Sequence, residues 1–401
     1  MSLMPIADAL ALLLQDVDRR DTEMVPLEKA NHRILAQDVT ASRTQPPFAA
    51  SAMDGYAVRA EDAAHAGAEL KVIGEAPAGH SFKGFVSKGE AVRIFTGAPV
   101  PDGCDSILIQ ENAHRSEDSI SVIEPPKAGA FVRPAGLDFS EGQTLLSAGK
   151  KLNYRDLALA AAMNHAELPV VRKPVVAILA TGDELVRPGG NPGPDQIIAS
   201  NHLGVAGLVE DCGGEVLDLG ISPDDPVVMA GLVSKAVQAK VDILVTLGGA
   251  SVGDHDLVQD VLGDQGMDLA FWRIAMRPGK PLMAGKLGQT KVLGLPGNPV
   301  SSLVCSLLFL KPLLARMLGD IAPRDDETDA ILGAALKEND RRQDYIRARL
   351  EFDESGRAVA TPFERQDSSM LRLLADSGAL IIRPPHAPAL DAGATVKILK
   401  L

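Results

Sequence analysis

Aromatic residues make up only 3% of the 401-residue chain, with one Trp and three Tyr, so any packed core must be aliphatic. Cysteine is scarcer still. Cys104, Cys212 and Cys305 stand alone, in no CxxC pair, which argues against a disulfide framework or a cysteine zinc site and fits a reducing compartment. An excess of positive charge is also missing: 40 Lys and Arg face 53 Asp and Glu, for a net charge of -13. General affinity for nucleic acid needs a basic surface that displaces counterions, so that class is disfavoured. Any anionic ligand must instead be held by a local cluster of positive groups. No apolar run approaches the ~20 residues of a membrane span. The ALALLL run near the N-terminus is flanked by Asp8 and Asp16 with no basic segment before it, unlike a signal peptide, so a cytoplasmic protein is expected. There is no GxGxxG after a strand, no Gly-Lys followed by Ser or Thr, and no HExxH, which removes the Rossmann, Walker and zincin readings.

What is present is a chain too long for one ordinary core, implying two to four domains. Helical periodicity over 5–20, with Leu10, Leu13, Leu14 and Val17 on one face, and a second short helix near 26–36 suggest a helical N-terminal region. From about 48 to 145 short β-like runs (LKVIGE, AVRIFTG, SILIQE, SISVIEP, FVRPAGLDF) are punctuated by Gly, Pro and Asp, as in a small inserted β domain. Helical periodicity returns over 151–167, expected to pack with the N-terminal helices. After Pro174, near-continuous apolar runs at 175–180, 215–220, 241–249 and 291–295 alternate with helical candidates at 202–212, 226–239 and 256–265. That pattern predicts a doubly wound α/β domain with a parallel sheet buried on both faces. Strand candidates at 344–352, 357–361, 379–383 and 394–400 predict a C-terminal small β-barrel-like domain. The expected division is 1–45 plus 141–168, 46–140, 169–319 and 320–401.

The densest chemical signal lies at 277–302: a cationic loop, RPGKP, two short apolar strands, and LPGNPVSS opening an apolar helix. Arg277 and Lys280 flank a Gly-Pro turn. Asn298 and Pro299 suit the cap and first position of a helix, whose N–H groups and dipole, with Ser301, can hold an oxyanion. A capped core helix after a surface loop explains the same residues. GASVG at 249–253 satisfies the GxSxG elbow of serine hydrolases, with Ser251 as nucleophile. An elbow runs directly into a helix, yet Gly253, Asp254, His255 and Asp256 intervene, and the only later histidine is His386. GGASVGDHD also reads as a Gly-rich strand end whose amides, at Gly248, Gly249, Ser251 and Gly253, cradle phosphate. With Asp183 and Glu184 of TGDEL, Asp256 at a second strand end would suit Mg²⁺, which takes one or two carboxylates and keeps its waters. Singly, each acid is as well explained by helix capping or solvation. Asn201 of SNHLG is explained by capping alone. In the inserted domain, SAMDGYAVR places Asp54 before a Gly turn and FTGAPVP places Thr96 in another. FVRPAGLDF adds Arg133 and Asp138, explicable as a surface ion pair.

Together, SAMDGYA, TGAPVP, RPAGLD, TGDEL, GGASVGDHD, RPGKP and LPGNPVS resemble the motifs of the molybdopterin molybdenumtransferases, the MoeA family that includes the gephyrin E domain, in the family's order and spacing. The resemblance implies a four-domain, elongated homodimer with a MogA-like α/β domain. It implies transfer of molybdenum from molybdate to adenylylated molybdopterin with Mg²⁺-dependent release of AMP, forming molybdenum cofactor. A MogA-type adenylyltransferase and molybdoenzyme acceptors are implied partners. Catalytic roles carry over to Asp54, Thr96, Asp138, Asp183, Glu184 and Asp256, with the inserted domain completing the site across the dimer. Molybdate would meet Arg277, Lys280 and Ser301, and, from the last domain, Arg347 and Ser368 or Ser369; the substrate phosphate would lie on Gly248, Gly249, Ser251 and Gly253; Mg²⁺ would sit at Glu184 and Asp256. The chain departs from the pattern at Ala49 and Ala50, where Asp-Asn is frequent, at Leu137, where an acid is frequent, and at Arg277, which replaces a lysine. These departures leave open a pterin-binding scaffold with weakened chemistry, or a shift toward tungstate.

Overall fold

The computed structural model describes residues 3–249, 257–321 and 327–401. The centre is a six-stranded sheet in the order Glu215–Ser222, Val175–Thr181, Ile243–Leu247, Thr290–Leu295, Met283–Leu287, Asp268–Trp272. The first four strands are parallel, as their double-sided apolar runs predict. Met283–Leu287 then turns back antiparallel as a hairpin with Thr290–Leu295, and Asp268–Trp272 closes that edge. Along the second strand, Val176, Ile178 and Ala180 face one core, with Val300, Val304, Phe309 and Leu313 of the helix Pro299–Leu318. Ala177 and Leu179 face the other, with Met229, Val233, Val258 and Leu262. This period-two alternation is what two helical layers on one sheet require.

The helix opened by LPGNPVSS runs Pro299–Leu318, 20 residues with mean hydropathy 1.5. It consists of Pro299–Cys305, a π-helical turn Ser306–Leu310, and Lys311–Leu318. It therefore corrects the expectation that no segment has the length and composition of a membrane span. Most of its apolar surface packs on the central sheet, however, so its hydrophobicity is that of a core helix.

The N-terminal region is less helical than expected. Ile6–Leu14 is a helix, but 26–36 holds only a three-residue 3₁₀ turn, Leu27–Lys29. Thr22–Pro26 is a strand, paired antiparallel with Glu167–Val171. The first helix does not join the Tyr154–Ala162 helix. Its Ala9 and Leu13 are buried in the core of the α/β domain, whereas Ala160 and Met163 pack with Leu35, Val39, Leu146 and Leu168.

The inserted sheet has the order Ser106–Ile109, Gly55–Val58, Glu90–Ile94, Glu69–Ala76, Ser119–Val122, Ala113–Ser116. At the C-terminus, Gln343–Phe352, Ala358–Pro362, Glu327–Leu332, Thr395–Lys400 and Ala379–Arg383 pair in succession. The first and last also pair with each other, closing a small barrel. A two-residue strand, Met276–Arg277, adds to this barrel in parallel with Gln343 and Asp344. The RPGKP loop is thus hydrogen-bonded into both the α/β domain and the barrel.

Candidate functional site

Three central strands end at one edge. The Gly248 N–H donates to Leu295 O at 3.2 Å, and the buried Thr181 hydroxyl reaches Leu247 O at 3.4 Å. Gly248 and Gly249 both have positive φ, and a Cβ on Gly248 would meet Thr181 O at 2.7 Å, so glycine is needed for this close approach. Ser251, Gly253 and Asp256 lie outside the described residues. Beside this edge the Asp183 carboxylate accepts from the Asp224 N–H at 3.1 Å, and the Glu184 carboxylate lies over Gly182. No cluster of three potential metal ligands exists among the described residues. Asp183 and Glu184 put two carboxylates beside this edge.

Asn201 does more than start a helix: its amide nitrogen donates to Gly297 O at 2.7 Å, tying the 201–211 helix to the turn before Pro299. Asn298 occupies the N-cap position, but its side chain makes no capping bond. One N–H of that helix start is already used, because Val300 donates to Ser368 O at 3.1 Å. The barrel's 366–370 loop is therefore placed against the helix start that carries Ser301, which is 5% exposed. Ser369 is in this loop, its hydroxyl and N–H both donating to Asp367 Oδ1 at 2.6 and 2.9 Å. Gly279 has φ +107, and its Cα faces the same helix so closely that a Cβ would meet Cys305 Sγ at 2.5 Å. Lys280 follows, half-buried and without an ion pair among the described residues.

Two expected anion ligands have other partners. Arg347 is 1% exposed. Its guanidinium donates to Met370 O at 3.1 Å, Asp367 O at 2.9 Å and Gln366 Oε1 at 3.3 Å. These bonds tie the guanidinium to the 366–370 loop. Arg277 is bound by acids of the barrel: Nε donates to Asp344 Oδ2 at 3.0 Å, Nη2 to the same oxygen, and Nη1 approaches Asp340 at 3.4 Å. Burial pushes the Asp344 carboxyl above its ordinary range despite Arg277, while hydrogen bonds from Arg342 hold Asp340 at about 2. A cleft of ≈ 540 Å³ lies here, lined by Arg277, Lys337, Asn339, Asp344, Arg347 and Gln366 among others. The Asn339–Asp340–Asp344 set was not identified from sequence, where nothing marks acids of the barrel as partners of a loop more than 60 residues earlier.

In the inserted domain SAMDGYAVR is bonded to both FTGAPVP and the start of FVRPAGLDF. The Thr96 N–H and hydroxyl both donate to Asp54 Oδ1 at 2.7 Å. Those bonds, with the charge of Arg93, hold the Asp54 carboxyl below its ordinary range. Arg93 was missed in the sequence: it donates to Gly55 O at 3.0 Å and Gln110 Oε1 at 2.8 Å, its guanidinium against Tyr56 and Phe95. Ala52 N donates to Phe131 O, bringing FVRPAGLDF alongside. Asp138 is exposed, its N–H on Gln45 O, and Leu137 is 59% exposed. No hydrogen bond or ion pair among the described residues joins these motifs to the 181–185 or 277–302 segments.

A multidomain architecture with this strand-end edge, loop and barrel matches three family models in succession. These are the MoeA N-terminal region (domain I and II) at 4–164, a "probable molybdopterin binding domain" at 177–316, and the MoeA C-terminal region (domain IV) at 329–401. The chain belongs to the MoeA family. It is similar to the molybdopterin molybdenumtransferases of Nostoc sp., 36% identical over 96% of this chain and 89% of that protein, and of Haemophilus influenzae, 36% identical over 94% and 93%. Among solved structures it is similar to the molybdopterin biosynthesis MoeA protein of Pyrococcus horikoshii, with TM-score 0.87, 32% identity, and coverage of 100% of this chain and 99% of that one.

Proposed function

We propose that this chain is a molybdenum insertase: it transfers molybdenum from molybdate to adenylylated molybdopterin and releases AMP, forming molybdenum cofactor. The observation that carries the reading is the juxtaposition of the Gly248–Gly249 strand end with the 295–301 turn and helix start, against which the barrel's 366–370 loop is seated. A phosphate on the glycine edge would lie beside an oxyanion at Lys280, Ser301 and Ser369. Curated relatives bearing the molybdopterin molybdenumtransferase name, over nearly the full chain, support the same chemistry.

Molybdate is a tetrahedral dianion, so an ammonium and hydroxyl donors match it in charge and hydrogen bonding. Cleavage at phosphorus is assisted by positioning and charge neutralisation, which is why the site needs no strong nucleophile. Mg²⁺, held by Asp183, Glu184 and, beyond the described residues, Asp256, would supply part of that neutralisation. Among the described residues no hydrogen bond or ion pair joins Asp54, Thr96 or Asp138 to the α/β site of their own chain; a homodimer in which one protomer's inserted domain serves its partner's site would bring them there. Three free cysteines support a cytoplasmic setting. A MogA-type adenylyltransferase would supply the substrate and molybdoenzymes accept the product.

The test is AMP release from adenylylated molybdopterin by the purified chain with Mg²⁺ and molybdate. Molybdate-dependent release is expected; tight pterin binding without release would replace the insertase with the scaffold motivated by Ala49, Ala50 and Leu137. The serine hydrolase is disfavoured by the sequence, in which Gly253, Asp254, His255 and Asp256 follow Ser251 where an elbow would run directly into a helix. Loss of activated-ester hydrolysis in Ser251→Ala would revive it.

A further inference from the structure

The two cations of RPGKP do not serve one cavity. Arg277 lines the cleft beside the barrel, whereas Lys280 is not among its lining residues. Arg277 also arrives at a prepared set of acceptors. Asp344 is 6% exposed and takes two donors of the fork on one oxygen. Asn339 Oδ1 accepts from Nη2 at 3.3 Å, while the Asn339 amide is itself pinned on Arg342 O, Arg383 O and Pro384 O at 2.8, 3.1 and 2.9 Å. Asp340 is held by Arg342 at 2.8 Å. Arg277 and Arg342 are each matched by a carboxylate, Asp344 and Asp340, so the Arg277 guanidinium offers an approaching dianion little uncompensated charge. The second oxygen of Asp344 is buried with no hydrogen-bond partner and remains an uncompensated acceptor at that position.

Resting on the oxyanion reading above, we propose that Asp344 is a positioning residue that clamps Arg277 out of oxyanion coordination and locks the loop to the barrel. Lys280 then carries the charge of the loop to the ligand. The backbone agrees with this role, because Met276 and Arg277 continue the barrel in register with Gln343 and Asp344. The Arg277 side chain is the interdomain latch of that short strand. A lysine could not replace it, lacking the fork that meets Asp344, Asp340 and Asn339 together.

A double-mutant cycle tests the assignment, with molybdate binding to the full-length chain measured by titration calorimetry and AMP release measured alongside. Asp344→Asn removes the buried charged partner of the guanidinium, leaving it only the longer contacts to Asp340 and Asn339, so molybdate binding tightens by ~3- to 10-fold while turnover falls with the loosened loop. Arg277→Gln leaves Asp344 unpaired and weakens binding by a similar factor. The Arg277→Gln, Asp344→Asn double variant binds molybdate within about threefold of the unmodified chain, because the two charges were cancelling each other. A ligand role for Arg277 requires the opposite: the double variant would lose more than that, and such a loss overturns the clamp. Should either single variant fail to fold, the charge-neutral double variant still decides. No molybdate heat from the unmodified chain defeats the oxyanion reading itself, and heat without AMP release defeats insertion while leaving the clamp standing.

Discussion

Replacing Gly279 by alanine tests how the oxyanion loop is seated. The residue has φ +107, and a Cβ there would lie 2.5 Å from Cys305 Sγ and 3.1 Å from Met276 Cε. Two costs follow. Forcing an L-residue into that backbone region costs roughly 1–3 kcal/mol. Overpacking against a buried cysteine costs roughly 1–3 kcal/mol more, because the sulfur sits on a core helix that cannot retreat freely. The sum, about 2–6 kcal/mol, is large beside the stability of a typical domain. Only the second part depends on Cys305. Gly279→Ala combined with Cys305→Ala should therefore recover ~1–3 kcal/mol relative to the sum of the singles, leaving the backbone strain unrelieved. Urea unfolding followed by the fluorescence of Trp272, the only tryptophan and a residue of the α/β domain's edge strand, reads that domain directly. Molybdate-dependent turnover should fall in Gly279→Ala and recover partly in the double variant. Additive singles, or a Gly279→Ala chain as stable as the original, would refute the claim that close packing on the helix sets the loop.

Lys280→Ala should weaken the molybdate response more than pterin binding, by about tenfold or more in the molybdate concentration for half-maximal AMP release; equal loss of both would remove the lysine from the oxyanion site. Asp54→Ala should lower turnover by about tenfold or more with little change in thermal midpoint, since the residue is only half-buried and its carboxylate bonds go to Thr96. Arg347→Lys should destabilise the barrel by ~2–4 kcal/mol and loosen the 366–370 loop, because one ammonium cannot satisfy three acceptors spaced for a fork; proteolysis of that loop checks it. Asp242 is paired with Arg172 through two bonds of 2.9 Å, with Arg20 at 3.1 Å and with the Val175 N–H at 2.7 Å. Burial raises its carboxyl pKa, but these partners outweigh burial and hold it below the ordinary value. The group therefore adds stability above the unfolded value of about 3.9, and that stability is lost as pH falls through the lower folded value. Asp242→Ala should cost ~3–5 kcal/mol at pH 7. The deficit should shrink in acid, and one constant from pH 7 to strongly acidic solution would contradict the pairing.

The parts of this protein that could be read from sequence are those whose signals are local. Val175–Thr181 and Ile243–Leu247 announce themselves because a strand buried on both faces has to be apolar throughout. The Thr22–Pro26 strand does not, since its partner lies near residue 170 and only Val25 of its five residues is buried. The first helix shows a correct apolar stripe, but a stripe states only that a face is buried and cannot say against which core. The same limit applies at the site. Turn chemistry placed Gly248, Gly249, Gly279 and Pro299 where backbone geometry needs them, and the structure supplies the close contacts that explain them. Charge is different, because a cation in a sequence has no visible partner. Arg277 and Lys280 are separated by two residues and look alike as anion ligands, yet a barrel strand 67 residues later brings Asp344 to one of them. What distinguishes ligand from latch here is tertiary pairing, so the Arg277–Asp344 cycle measures a feature of this site that no local pattern encodes.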